Sequence, residues 1–429
     1  MHTILPSPKK HLIIAGNFGA LSIKTMPGCK QPGIVIYTSG IALCSHIGVA
    51  LLYSLSLCIK KNAGKRMHKL IPSICWLACI VSSVFYNSAT AQDSSHLRIS
   101  LLTCTPGDEL YSTFGHSALR ITDTSSRQDI VFNYGTFNFD DPDFYTKFIK
   151  GKLQYFVSTA YLSDFIQEYQ YNHRDITEQV LQLTAAEKIA IQQYLYNNIK
   201  EENKYYQYDF LFNNCTTRLR DIIVSNKTIQ PVFSAVVPAG TSFRNAIHQY
   251  LEKGNKEWSK LGIDLLLGAP TDAVMTVSQS QFLPDNLLKS LDSSNGQHKL
   301  VASSAFLYPS VQKPAASSLF TPLLAFSLLL LFIVALDFSK TSFGTAFLYG
   351  FDGLLFFITG ATGILLLYMW LGTNHGMCKN NYNLLWASPT HAVAAFFIHS
   401  KKKWVKKYLL FTVAGLLLVM GTWMFLPQQ

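Results

Sequence analysis

The sequence predicts two bodies in one chain: an α+β domain made of a small antiparallel sheet with helices, then an all-α transmembrane bundle of about four helices. Three observations carry this. Short alternating runs punctuated by turn residues occupy 93–312. Long apolar runs occupy 317–427. The charged fraction is 14% against 49% hydrophobic and 13% aromatic, too little charge for a purely soluble chain.

In chain order, residues 1–66 hold a basic opening and an apolar run, Pro32 to Ile59, closed by Lys60, Lys61, Lys65 and Arg66. Residues 67–92 then read as a secretory signal peptide. Met67-His68-Lys69 is a short basic start, Leu70 to Tyr86 an apolar core, and Ala89-x-Ala91 a small-residue cleavage site. Such a signal belongs at a beginning, so residues 1–66 are expected to be an over-extended gene start. The alternative is a genuine extra helix. Trp76-Leu77-Ala78-Cys79 is a poor lipidation motif.

Within 93–312, three strands are expected at His96–Cys104, His116–Thr122 and Ile130–Tyr134, separated by Thr105-Pro106-Gly107 and Asp123-Thr124-Ser125-Ser126. Asp143–Ile149 and Tyr161–Tyr171 read as helices. Thr184-x-x-Glu187 is a capping box opening a helix that runs to Lys200. Tyr205 to Phe212 is an aromatic run, Ser242–Leu251 and Pro284–Leu291 are further helices, and Ser303–Ser318 reads as a linker. Spans are expected at 317–336, 343–371, 384–399 and 408–427, the third being short and containing Pro389 and His391. Lys401, Lys402, Lys403, Lys406 and Lys407 separate the last two, and positive loops stay cytoplasmic. Threading four spans from a secreted domain puts that loop inside. It leaves Gly372–Asn383 on the outer side with the soluble domain.

The net charge of +11 does not make a nucleic-acid protein, because many lysines flank apolar spans, where topology accounts for them. Five of the eight cysteines precede residue 92, leaving Cys104, Cys215 and Cys378, which is not a disulfide framework. A Cys104–Cys215 bridge stays open as the plain alternative to a reactive Cys215.

The chemistry concentrates in Asn213-Asn214-Cys215-Thr216-Thr217-Arg218. Either asparagine can cap a helix that holds Cys215 in its first turn, where unpaired N–H groups and the helix dipole favour a thiolate. Phe114-Gly115-His116-Ser117 supplies a base. A third polar group usually fixes such a histidine, and Asn133 or Tyr134 on the next strand could do so, Asn133 being preferred. Arg218 reads as a structural ion-pair partner as readily as a site residue. Asp352 lies inside the second span, where a charge is expected to face another span or a cavity. His375 lies in the outer loop, as an interfacial residue or a supporting one.

Taken together, Phe114-Gly115-His116-Ser117, Phe132-Asn133-Tyr134-Gly135, Asn214-Cys215-Thr216-Thr217-Arg218, Thr373-x-His375 and Asn380-Asn381-x-Asn383-Leu384-Leu385-Trp386 resemble the Lnb-type bacterial lipoprotein N-acyltransferases, over roughly residues 95–400. The resemblance implies a periplasmic, permuted papain-like domain on a multi-pass bundle in the inner membrane, with His116 before Cys215 in the chain. It implies Cys215 as nucleophile and His116 as its base, moving an acyl chain from a phospholipid donor to a diacylated lipoprotein acceptor. No metal or organic cofactor is required. Two other readings use the same residues. A membrane-tethered papain-like cell-wall peptide hydrolase would need one anchor rather than four. A non-catalytic envelope sensor would leave Cys215 bridged or buried.

Overall fold

The structure, a computed structural model, describes residues 96–294, 299–310 and 319–428. The expected signal peptide and the segment before it lie outside the described residues. The soluble part centres on a seven-stranded antiparallel sheet of β1 (Leu97–Cys104), β2 (His116–Asp123), β3 (Gln128–Thr136), β4 (Gln154–Tyr161), β5 (Ile176–Leu181), β6 (Tyr205–Gln207) and β7 (Val301–Tyr308). Its order is β6-β4-β3-β2-β1-β5-β7. The three strands read from the sequence are the central ones. The stretch read as the start of a linker, from Ser303, instead belongs to β7, an edge strand on β5.

Strand periodicity explains the layering. Leu97, Ile99 and Leu101 of β1, with Leu119, Ile121, Phe132 and Tyr134, enter one core against the helices Ala185–Asn198, Cys215–Ser225 and Pro284–Asp292. Leu102, Cys104, Ala118 and Val131 point the other way and pack on Phe165 and Tyr169 of the helix Leu162–Tyr171. With both faces covered, the central strands alternate between two cores rather than between core and water. A third cluster joins Leu211 to Phe243, Ile247 and Leu251 of the helix Phe243–Lys253, and to Phe282.

Beyond the sheet, Pro322–Ser339, Ser342–Leu371 and Lys403–Phe425 are long and apolar enough to cross a bilayer. The expected third span is not one helix. It is a 3-10 turn at Tyr382–Leu385, a five-residue helix at Thr390–Ala394 and turns on either side. It nonetheless runs back along the second long helix. A Cβ on Gly363 would meet the Ala387 carbonyl at 1.9 Å, and one on Gly360 the Ala392 nitrogen at 1.9 Å. Phe396 lies against Phe357, and His399 Nε2 donates to the Tyr349 carbonyl at 2.8 Å. Pro389 removes a backbone donor, and the close approach over two glycines replaces the side-chain packing of an ordinary helix pair.

The outer loop meets the soluble domain directly. Asn381 Nδ2 donates to the carbonyls of Leu265 and Leu266, and Asn383 Nδ2 to that of Asp264. Gly268 N–H donates to the Met377 carbonyl and Asn374 N–H to that of Lys150. The sheet domain therefore sits on the segment 374–383 through asparagine side-chain amides and main-chain N–H groups that all reach main-chain carbonyls.

Candidate active site

Asn214 fixes where the Cys215 helix begins. Its backbone is extended, its side-chain oxygen accepts from Thr217 N–H at 2.8 Å, and the Thr217 hydroxyl accepts from Asn214 N–H at 2.9 Å. Its amide nitrogen donates to the Phe210 and Phe282 carbonyls, so the cap is buried and fully bonded. A cap of this kind contributes about 1 kcal/mol. Asn213 has other partners: it donates to the Gln207 carbonyl and accepts from Arg218 Nε. Cys215 is thereby the first helical residue, half-buried and without a disulfide.

His116 opens β2 directly opposite Cys104 of β1. Gly115 before it has φ +80°, and a Cβ there would lie 2.7 Å from the Cys104 carbonyl, so only glycine allows this entry into the strand. The pairing Leu119↔Phe132 puts Asn133 on the same sheet face as His116, one strand over and diagonal to it. His116 Nε2 donates to Asn133 Oδ1 at 3.3 Å. With that proton committed to Asn133, the other ring nitrogen is the one able to accept a proton. β3 then bulges between Asn133 and Thr136. Gly135 at φ +93° leaves room there, its missing Cβ lying 3.6 Å from Cys215 Cβ.

Cys215 and His116 lie close enough for each to shift the titration of the other. Burial pushes the Cys215 thiol up. The imidazolium charge of His116, the Ser117 backbone N–H and the Thr216 hydroxyl outweigh it and bring the thiol down to about 7. Burial lowers His116, but the Cys215 thiolate raises it above its ordinary value, against the opposing charge of Arg174. Each group stabilises the charged form of the other, the electrostatics of a nucleophile–base pair.

The remaining residues singled out from the sequence divide. Tyr134 faces the opposite side of β3 from Asn133, fully buried, its hydroxyl donating to Asn198 Oδ1 at 2.5 Å; it does not orient His116. Arg218 lies over the Tyr206 ring at 3.6 Å and binds Asn213, a packing role. His375 donates to the carbonyls of Phe148 and Ile149 rather than approaching the dyad. Asp352 is exposed on the second long helix and makes no hydrogen bond or ion pair with a described residue, so the expectation of a facing span or cavity is not met there. Cys104 is fully buried with its thiol pushed up to about 12 by burial, and it is free.

Sequence reasoning missed Ser117 N–H, Thr216 and Arg174. The first two act through backbone position and a neighbouring hydroxyl, which no side-chain pattern announces. Arg174 is buried, donates from Nε to the Thr105 carbonyl at 2.7 Å, and lies over the Tyr169 ring. Its place in the turn before β5 carries no signature.

Comparison with known proteins supplies the frame for this geometry. No curated protein and no solved structure matches the chain. Two family models do: the Lnb N-terminal periplasmic domain matches residues 85–247 and the Lnb transmembrane domain residues 314–429. The first match contains His116, Asn133 and Cys215, and the second contains the three long apolar helices found among the described residues. Together they cover well over half the sequence, in the order the structure displays, and the chain belongs to the Lnb family, as a membrane protein with a periplasmic domain.

Proposed function

We propose that the protein is a lipoprotein N-acyltransferase of the inner membrane. It moves an acyl chain from a phospholipid through a Cys215 thioester to the α-amino group of an N-terminal diacylglyceryl-cysteine. The observation that carries this reading is the Cys215–His116–Asn133 constellation on a domain seated on the outer ends of membrane helices. A thiolate nucleophile, an oriented base and direct access to lipid are what an acyl transfer between two membrane-held substrates requires. The order His116 then Cys215 accords with a permuted papain-like domain in a multi-pass protein.

His116 takes the thiol proton as Cys215 Sγ attacks the phospholipid ester carbonyl. The C–S bond forms, the ester C–O bond breaks, and the proton passes from His116 to the leaving lysophospholipid oxygen. Backbone N–H groups in the first turn of the Cys215 helix suit the oxyanion. The lipoprotein amine then attacks the thioester. The N–C bond forms, the C–S bond breaks to restore the thiolate, and the amine proton goes to His116.

The test is the mass of a lipoprotein N-terminal peptide from cells lacking their own N-acyltransferase. A third acyl chain with the wild type, absent with Cys215→Ser and His116→Ala, is the expected result. A lipoprotein left diacylated by stably inserted wild type sinks the proposal.

A further inference from the structure

A cavity of about 460 Å³ lies where the sheet domain meets the segment 374–378. Phe148, Leu153, Tyr155, Tyr208, Phe210 and Met377 give it an aromatic and aliphatic lining. Several of its polar groups are engaged within the protein, while the Tyr155 and Tyr208 hydroxyls and Asp209 Oδ2 add a few polar points to an otherwise apolar lining. Gln207 donates to the Gly151 carbonyl, and Asp209 Oδ1 accepts from Leu211 and Phe212 N–H. Asn213 binds Gln207 and Arg218, and His375 binds Phe148 and Ile149. A predominantly aromatic and aliphatic lining with a few polar points suits an apolar occupant better than one rich in hydrogen-bonding groups.

Two features tie the cavity to Cys215 and to the bilayer. Residues 207–211 and Asn213 form one wall and run straight into Asn214 and Cys215, and Tyr208 packs against the same core as Cys215. The opposite wall is the chain just past the outer end of the helix Ser342–Leu371, where material leaving the membrane would arrive. Its volume of about 460 Å³ lies in the range of clefts that take an extended apolar group.

We propose that this cavity receives the single acyl chain carried on Cys215, holding it while the diacylated acceptor approaches from outside. The assignment rests on the thioester reading above and extends it to chain selection. Met377 lines the cavity and takes no part in the catalytic pair. Met377→Trp narrows it and Met377→Ala widens it.

The experiment supplies the membrane-embedded full chain with phospholipids of graded acyl length and reads the Cys215 adduct by intact mass. Met377→Trp is expected to move the adduct distribution toward shorter chains. Met377→Ala is expected to move it the other way, and it tests the assignment even if the tryptophan variant does not insert. Adducts of unchanged length distribution in both variants overturn the cavity assignment alone. So does an unchanged distribution accompanied by a raised KM for the diacylated acceptor, which would give the cavity to the acceptor. No adduct on the wild type overturns the thioester reading and the cavity together.

Discussion

Cys104 and Cys215 both lie beside His116, one across a strand pair and one at a helix start. Cys104 is sealed between sheet and helix with its thiol raised to about 12, whereas Cys215 is half-buried with its thiol near 7. The two therefore differ by about five pKa units, so adjacency to a histidine does not make a thiol reactive. The imidazolium charge of His116, with the Ser117 N–H and the Thr216 hydroxyl, does so at one position. Burial without them does the reverse at the other.

The sharpest way to break the contrast is to exchange function between the two. Cys215→Ser is expected to reduce acyl transfer at least about 10³-fold, since nucleophile and base act as a unit. Cys104→Ser should leave transfer within a few-fold and lower stability by about 1–3 kcal/mol, through a hydroxyl placed in an apolar site. If Cys104→Ser were as inactive as Cys215→Ser, the division of roles would fall.

Next in size is a pH effect. Because His116 lowers Cys215 to about 7, the rate of Cys215 alkylation should rise with pH through a midpoint near 7. Removing the imidazole in His116→Ala leaves burial unopposed by its charge, so the midpoint should move up by one unit or more. An unchanged midpoint would show that the lowering comes from elsewhere. Smaller again is Asn133→Ala. It deletes one hydrogen bond to a histidine that becomes charged, worth about 1.5–3 kcal/mol, or roughly 10- to 100-fold in rate, with little change in KM. Smallest is Tyr134→Phe, one residue along but on the other face. It should lower the unfolding free energy by about 1 kcal/mol and leave turnover alone. Rate loss in Tyr134→Phe equal to that in Asn133→Ala would contradict the register that separates them.

The candidate pair Cys215 and His116 is readable in the sequence because its signals are local. An Asn-Asn-Cys helix start and a Gly-His strand start are short patterns with a physical reading, and strand alternation separates Asn133 from Tyr134. The sheet was legible only in its centre. β7 was hidden because most of its residues are exposed and its Ser-Ala-rich sequence gives a weak strand pattern; its partner β5 supplies the reason it is a strand. β6 is three residues long, too short for any period to show. The broken segment 384–399 defeats a hydropathy reading for another reason. Its apolar content is ordinary, and only the glycines on the neighbouring helix, far away in sequence, permit a non-helical path. His375 and Asp352 were singled out for residue type, and type does not say where a side chain finds its partners.

The joint between the two halves consists largely of asparagine amides and main-chain N–H groups reaching main-chain carbonyls. Such a joint is indifferent to the side chains of the surface it grips and strict about the shape of that surface. Gly268 shows the strictness: a Cβ there would fall 1.9 Å from the Lys379 carbonyl. The side chains of Leu265 and Leu266 play no part in this joint, whereas Asp264 is held by Arg244 and His248 and the backbone path stays fixed. A fixed path holds the sheet domain, and Cys215 with it, in one place relative to the long apolar helices, rather than leaving it to swing on a tether.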